Sequence, residues 1–189
     1  MSETKTDPRI LRTRKLIMDA FIELSSKKEF KDITVKDITS EAMINRATFY
    51  YHFQDIYDLL EKVLSEVLLI NLEGASYKES ELNDESLVSI FIAITDFQGS
   101  LSNRCFRGYE DTIARIIRDQ LELIFYNMLT KQHLKGDGHA LKVTAVMLSW
   151  GLYGASVEWR RTSQSMTPKE FIKIAIPYIR YGIDGLSTK

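Results

Sequence analysis

Apolar positions recur at helical spacing along almost the whole chain, and the strict alternation that marks a half-buried strand is scarce. Asp7 and Pro8 supply a capping residue followed by a proline at a first helical position, where the missing amide costs nothing. Ile17, Ala20, Phe21 and Leu24 then fall on one face, and Lys27, Lys28 and Lys31 bring positive charge to the end of this helix, which favours its dipole. Thr34 and Asp37 frame a second start: the hydroxyl accepts from the free amides of the opening turn, the acid occupies the third helical position, and Ile33 can staple onto Ile38. Asn45 frames a third, with Ile44 and Phe49 as its staple. Met43, Ile44 and Asn45 are enough for a tight turn only. The third helix, about Arg46 to His52, sends Phe49 and Phe53 inward and leaves Arg46, Ala47, Tyr50 and Tyr51 outward.

Downstream the pattern stays helical. Asp55 can cap a long helix in which Ile56, Leu59, Leu60, Val63, Leu64, Val67 and Leu68 keep one-sided spacing. Asn71 to Asn83 breaks the period and reads as an exposed connection. The next helix, about Asp84 to Gly99, is apolar almost all round, so it should be the buried rod of a second domain. After a turn or short helix over Ser100 to Gly108, long helices are expected at about Tyr109 to Gln132 and His139 to Arg161, the latter with small residues at Ala145, Ser149, Gly151, Ala155 and Ser156. Thr167, Pro168 and Glu170 open the last helix with a capping box, and Pro177 should kink it. The expected class is all-α: a three-helix domain with a helix-turn-helix over residues 1–53, followed by a helical bundle over residues 54–189.

Composition changes this picture little. With 44% hydrophobic and 27% charged residues the chain reads as soluble and globular, with a sizeable core. The net charge of −1 does not announce a nucleic-acid binder, but residues 1–53 hold ten Lys/Arg against eight Asp/Glu, and the remainder carries −3. Pairing two chains would concentrate Arg9, Arg12, Arg14, Lys15, Lys36 and Arg46 on one surface. The single Cys105 excludes a disulfide within the chain and a cysteine-based zinc site, and it reads as a packed structural thiol. Asp137 and His139, with His133 nearby, lack the further ligands that a metal site needs, so no metal or cofactor is expected. No apolar leader and no run of about 18 apolar residues stands out, so a cytoplasmic protein without a membrane span is expected.

The chemistry lies on the third helix. Arg46 can grip guanine bidentately in a major groove, while the Tyr hydroxyls, Thr48 and His52 suit phosphate oxygens. The run Ile-Thr-Val-Lys-Asp-Ile, Ala42 before the turn, Arg-Ala-Thr-Phe-Tyr-Tyr-His-Phe and the later Tyr-Asp-Leu-Leu resemble the amino-terminal domain of TetR/AcrR family transcriptional regulators, over roughly Thr13 to Leu64. That resemblance implies base-reading roles for Lys36, Arg46, Ala47 and Tyr50, and backbone contacts for Thr34, Thr48, Tyr51 and His52, with Asn45 at the head of the helix. Ile56 departs from the family, which commonly has a phosphate-binding Lys there. The resemblance also implies a homodimer on a palindromic double-stranded operator and an effector site inside the second domain.

The rod and its neighbours suggest where that site would lie. Phe91, Ile94, Phe97 and Gln98, then Ile117, Leu121 and Ile124, then Met147 and Trp150, are the expected lining. Only Gln98 among them could orient a polar group, so an apolar or aromatic small molecule is expected. For the dimer, apolar surface is expected from Trp150, Leu152 and Tyr153 on one helix and from Phe171, Ile172, Ala175, Ile179 and Ile183 on the next. An enzyme would need a nucleophile with a base, paired carboxylates or metal ligands, and no such set is found. The reading is a DNA-binding transcriptional regulator, a repressor under effector control. An accessory factor of the same fold, working through a protein partner without a small ligand, is the alternative.

Overall fold

The computed structural model describes residues 7–74, 81–101, 109–132, 137–162 and 166–184. Among them the regular structure is helical: α1 (Pro8–Ser25), a short 3₁₀ turn (Phe30–Asp32), α2 (Val35–Glu41), α3 (Arg46–His52), α4 (Ile56–Gly74), α5 (Asp84–Ser100), α6 (Glu110–Lys131), α7 (Gly138–Thr162) and α8 (Pro168–Asp184). The chain divides into two compact units, Met1–Leu64 with Leu101–Glu110, and Ser65–Ser100 with Asp111–Lys189.

Each helix of the first unit starts where its chemistry predicts. Asp7 Oδ1 accepts from the Arg9 amide at 2.9 Å, with Pro8 in the first turn. Thr34 and Asp37 form the reciprocal capping box of α2. Asp55 Oδ1 accepts from the Asp58 amide at 2.8 Å at the head of α4. The core beneath these starts is made of Ile17, Phe21, Ile38, Phe49 and Phe53, all buried. Burying each such side chain stabilises the fold by about 1.5–3 kcal/mol.

The unit extends beyond the boundary expected at residue 53. Leu59, Leu60, Val63 and Leu64 are buried in the opening turns of α4, and Tyr109 brings its ring to 4.5 Å from Phe30 and 6.1 Å from Tyr57. Aromatic contact therefore draws a later stretch of chain into the same core, which linear spacing could not show.

In the second unit, α5 is the buried rod that its all-round apolar surface predicts, with Leu87, Ile90, Phe91, Ala93, Ile94 and Phe97 all buried. It packs on both α7 and α8, and Phe91 stacks on Phe171 with centroids 6.1 Å apart. The connection expected from Asn71 begins later, because Asn71 Nδ2 donates to the Val67 carbonyl and α4 continues to Gly74. Residues 75–80, 102–108 and 133–136 lie outside the described residues, and with them Cys105, His133, most of the turn expected over Ser100 to Gly108 and part of the connection expected from Asn71. Asp137 is the cap of α7, accepting from the Ala140 amide at 2.7 Å.

Helix α7 carries two apolar faces. Leu141, Ala145, Leu148, Leu152 and Ser156 turn inward, while Val143, Met147, Trp150 and Val157 are exposed on the opposite side. That doubling makes α7 long and apolar enough to cross a membrane by length and composition alone, although it holds no unbroken run of about 18 apolar residues. Leu152 and Ile172, expected on an outer surface, are instead buried within the unit.

Candidate nucleic-acid interface

The turn between α2 and α3 is tight because Met43 takes a left-handed backbone, φ 51°, and because the Ile44 amide donates back to the Thr39 carbonyl at 3.0 Å. The Met43 side chain is 91% exposed, so packing does not reward that conformation. Asn45 then caps α3, its Oδ1 accepting from both the Thr48 amide (2.8 Å) and the Thr48 hydroxyl (2.9 Å). At the other end the Phe53 amide closes on the Phe49 carbonyl, and both rings are buried. The recognition helix is fixed at both ends, and its outward face is set by these anchors.

That face holds most of the residues read from the sequence. Asn45, Arg46, Ala47, Tyr50 and Tyr51 are exposed, with Tyr51 at 71%, Thr48 and His52 are half-buried at the edge, and Lys36 is exposed on α2. Arg46 Nη2 donates to the Tyr50 hydroxyl at 3.1 Å, and its guanidinium lies 5.5 Å from the centre of that ring. The two side chains brace one another on the outer surface of α3. Tyr51 and His52 meet edge to face, with centroids 5.1 Å apart.

Two expected backbone contacts are already committed to structure. The Thr34 hydroxyl accepts from the Asp37 amide and donates to Asp37 Oδ2, and the Thr34 amide donates to the same oxygen. Those two donors of Thr34, and Lys28 beyond them, hold the Asp37 carboxyl down at about 2. The Thr48 hydroxyl proton is likewise given to Asn45. Either hydroxyl could donate to a phosphate only by giving up its own bond to Asp37 or to Asn45.

Arg14 was legible only as one of a cluster of cations. Its guanidinium lies 5.4 Å from the Phe53 ring centre and close enough to His52 to perturb it. Burial first, and the Arg14 charge second, hold the His52 imidazole below its ordinary value of 6.5. His52 is therefore mainly neutral at neutral pH and presents an N–H donor, not a fixed charge.

The expected lining of the second unit separates into two groups. Phe91, Ile94, Phe97, Gln98, Ile117, Leu121 and Ile124 are all buried. Met147 and Trp150 are 70% and 58% exposed on the outer face of α7, so they do not line an interior site. The reason is angular: they lie across the helix from Leu141, Ala145 and Leu152. Arg118 from α6 instead covers the Trp150 ring, 4.2 Å from its centre, and lies 5.4 Å from that of Tyr153. A surface groove of about 690 Å³ runs between α5 and α8, with Asp84 and Glu85 on one wall and Lys169 and Lys173 on the other.

A capped helix-turn-helix with an exposed Arg–Tyr face is the architecture that helix-turn-helix DNA-binding proteins share. Residues 17–63 match the family model of bacterial regulatory proteins, tetR family. The match covers the helix-turn-helix and parts of the helices on either side of it, and over that stretch the chain is similar to that family. The chain is 28% identical over 158 residues to the uncharacterized HTH-type transcriptional regulator YxbF of Bacillus subtilis (strain 168), a match covering 80% of this chain and 41% of that protein. It thus spans less than half the length of this curated relative. Its fold is shared with the dihydroxyacetone kinase operon activator DhaS, at a TM-score of 0.56 and 18% identity over 90% of this chain and 98% of that one. It is shared also with the TetR family repressor AlkX from a Dietzia species, at a TM-score of 0.54 and 12% identity over 95% and 98% of the two chains.

Proposed function

We propose that this protein is a sequence-specific DNA-binding transcriptional regulator, acting in the cytoplasm as a homodimeric repressor under the control of a small-molecule effector. The observation that carries the reading is the exposed face of α3, where Arg46, Tyr50, Tyr51 and His52 stand on a helix anchored at both ends. Arg46 would read a guanine, and Tyr51 and His52 would grip phosphates. Repression needs no more than occupancy of a promoter, whereas activation would require a further surface for the polymerase. The chemistry of the chain gives regulation, and not catalysis, its support.

Dimerisation is supported by the outer stripe of α7, Val143, Met147, Trp150 and Val157, beside Ile174 and Tyr178 exposed on α8. This amends the expected pairing surface: Trp150 stays in it, whereas Leu152 and Ile172 already serve the inner core. A two-fold pair would present its α3 helices to major grooves about 34–36 Å apart, or a multiple of that, on a palindromic operator. The effector would bind among the buried faces of α5 and α6, with Gln98 as its polar contact.

Gel retardation with DNA from upstream of the coding region tests the reading. The expected result is specific retardation that weakens steeply with salt. Retardation indifferent to sequence, or none at all, would overturn it.

A further inference from the structure

Hydrogen bonding within the second unit is settled almost throughout. Its buried hydroxyls each donate to a carbonyl three residues back: Ser86 to Asn83, Thr95 to Ile92, Ser149 to Val146 and Ser156 to Tyr153, at 2.7–2.9 Å. Gln98 on α5 is the exception. Its side chain is 5% exposed, its Nε2 donates to Ser156 Oγ on α7 at 3.1 Å, and its Oε1 has no hydrogen-bond partner among the described residues.

The direction of that amide follows from the hydroxyl it meets. Ser156 gives its single proton to the Tyr153 carbonyl at 2.7 Å, so only its lone pairs face Gln98. A flipped amide would oppose two acceptors. Nε2 therefore faces Ser156, and Oε1 turns away from it as a pure acceptor. Arg160 holds the residue from its backbone side, with Nη1 donating to the Gln98 carbonyl at 2.8 Å. An acceptor placed this firmly and left without a donor is uncommon in a folded interior, because its lost hydration goes unreplaced.

We propose that Gln98 Oε1 is the recognition atom for the effector, and that the effector is an uncharged, mainly apolar compound offering a hydroxyl or N–H donor. The inference rests on the effector reading above and adds its chemistry. A carboxylate has no proton for this acceptor, and a phosphate brings a charge with it. Among the described residues no charged side chain is buried, so neither an anion nor a cation would find a counter-charge there. Ile94 and Phe97, buried on the preceding turn of α5, suit an apolar or aromatic body.

Calorimetric titration of the full chain with 2-naphthol, 2-methoxynaphthalene and 2-naphthoate tests this, because one ring system then carries a donor, an acceptor only, or an anion. Naphthol is expected to bind at least about tenfold more tightly than the other two. Gln98→Met is expected to erase that preference and to leave the melting temperature unchanged or higher, since Met keeps the shape and removes the unpaired acceptor. Equal binding of naphthol and its ether, tighter binding of the naphthoate, or an undiminished preference in Gln98→Met overturns the assignment and leaves an effector site in this unit standing. A clear loss of melting temperature in Gln98→Met also overturns it, by showing that the acceptor serves the fold. Binding of none of the three removes the site from α5 altogether, while DNA retardation continues to report on the regulator reading separately.

Discussion

Arg46 has more donors than Tyr50 can occupy, so it can stay braced on that ring and still present a fork to a guanine edge. Arg46→Ala is expected to cost about 1–3 kcal/mol of operator affinity and to relax preference at one base pair, measured by retardation on single-substituted sites. His52 leads to a different expectation. Its depressed value means that the unfolded chain takes up the proton first, so its contribution to stability is complete above 6.5 and is lost as the pH falls toward the folded value. A phosphate brought against the imidazole reverses the bias and favours the charged form. DNA affinity should therefore rise as the pH falls through the region of 6.5, and His52→Gln should flatten that slope in titrations at constant salt. Both residues were legible in the sequence as members of one helical face. The proximity of Arg14 to His52 was not, because it depends on how α1 packs within the unit and brings Arg14 over Phe53.

At the scale of elements, the helix starts were the most legible part of the chain. Asp7, Thr34 with Asp37, Asn45, Asp55 and Thr167 with Glu170 all cap where their spacing places them, since a cap is a local hydrogen bond between near neighbours in sequence. Asn45→Ala should destabilise the first unit by about 0.5–2 kcal/mol in chemical denaturation and loosen the face that α3 presents. Met43 works in the opposite sense. A left-handed conformation strains an L-residue with a side chain, and here that side chain touches little. Met43→Gly should therefore stabilise the same unit by about 1 kcal/mol on the same denaturation curve. What local pattern could not settle was which side of α7 faces inward. Both sides are apolar, so Met147 and Trp150 read as lining and Leu152 as surface until the neighbouring helices choose between them.

For the molecule as a whole, the outer stripe of α7 decides between one chain and two. An added Cβ at Gly154 would meet no atom within 4 Å, so the single chain has room there for a side chain. Gly154→Lys should leave the helical content and melting profile of the chain intact and remove the glycine's entropic cost. A charge placed on a stripe that another copy would cover should nevertheless separate the proposed pair. Sedimentation should then report a monomer, and affinity for a two-half-site operator should fall much further than affinity for one half-site. The anchoring of α3 by Asn45 and Phe53 bears on how the complex forms. A helix already in place before DNA arrives has no ordering step left to make, so the heat-capacity change on binding should match the apolar surface covered at the contact and no more. The association rate should depend on salt through charge steering, with no slower phase from refolding of the recognition helix.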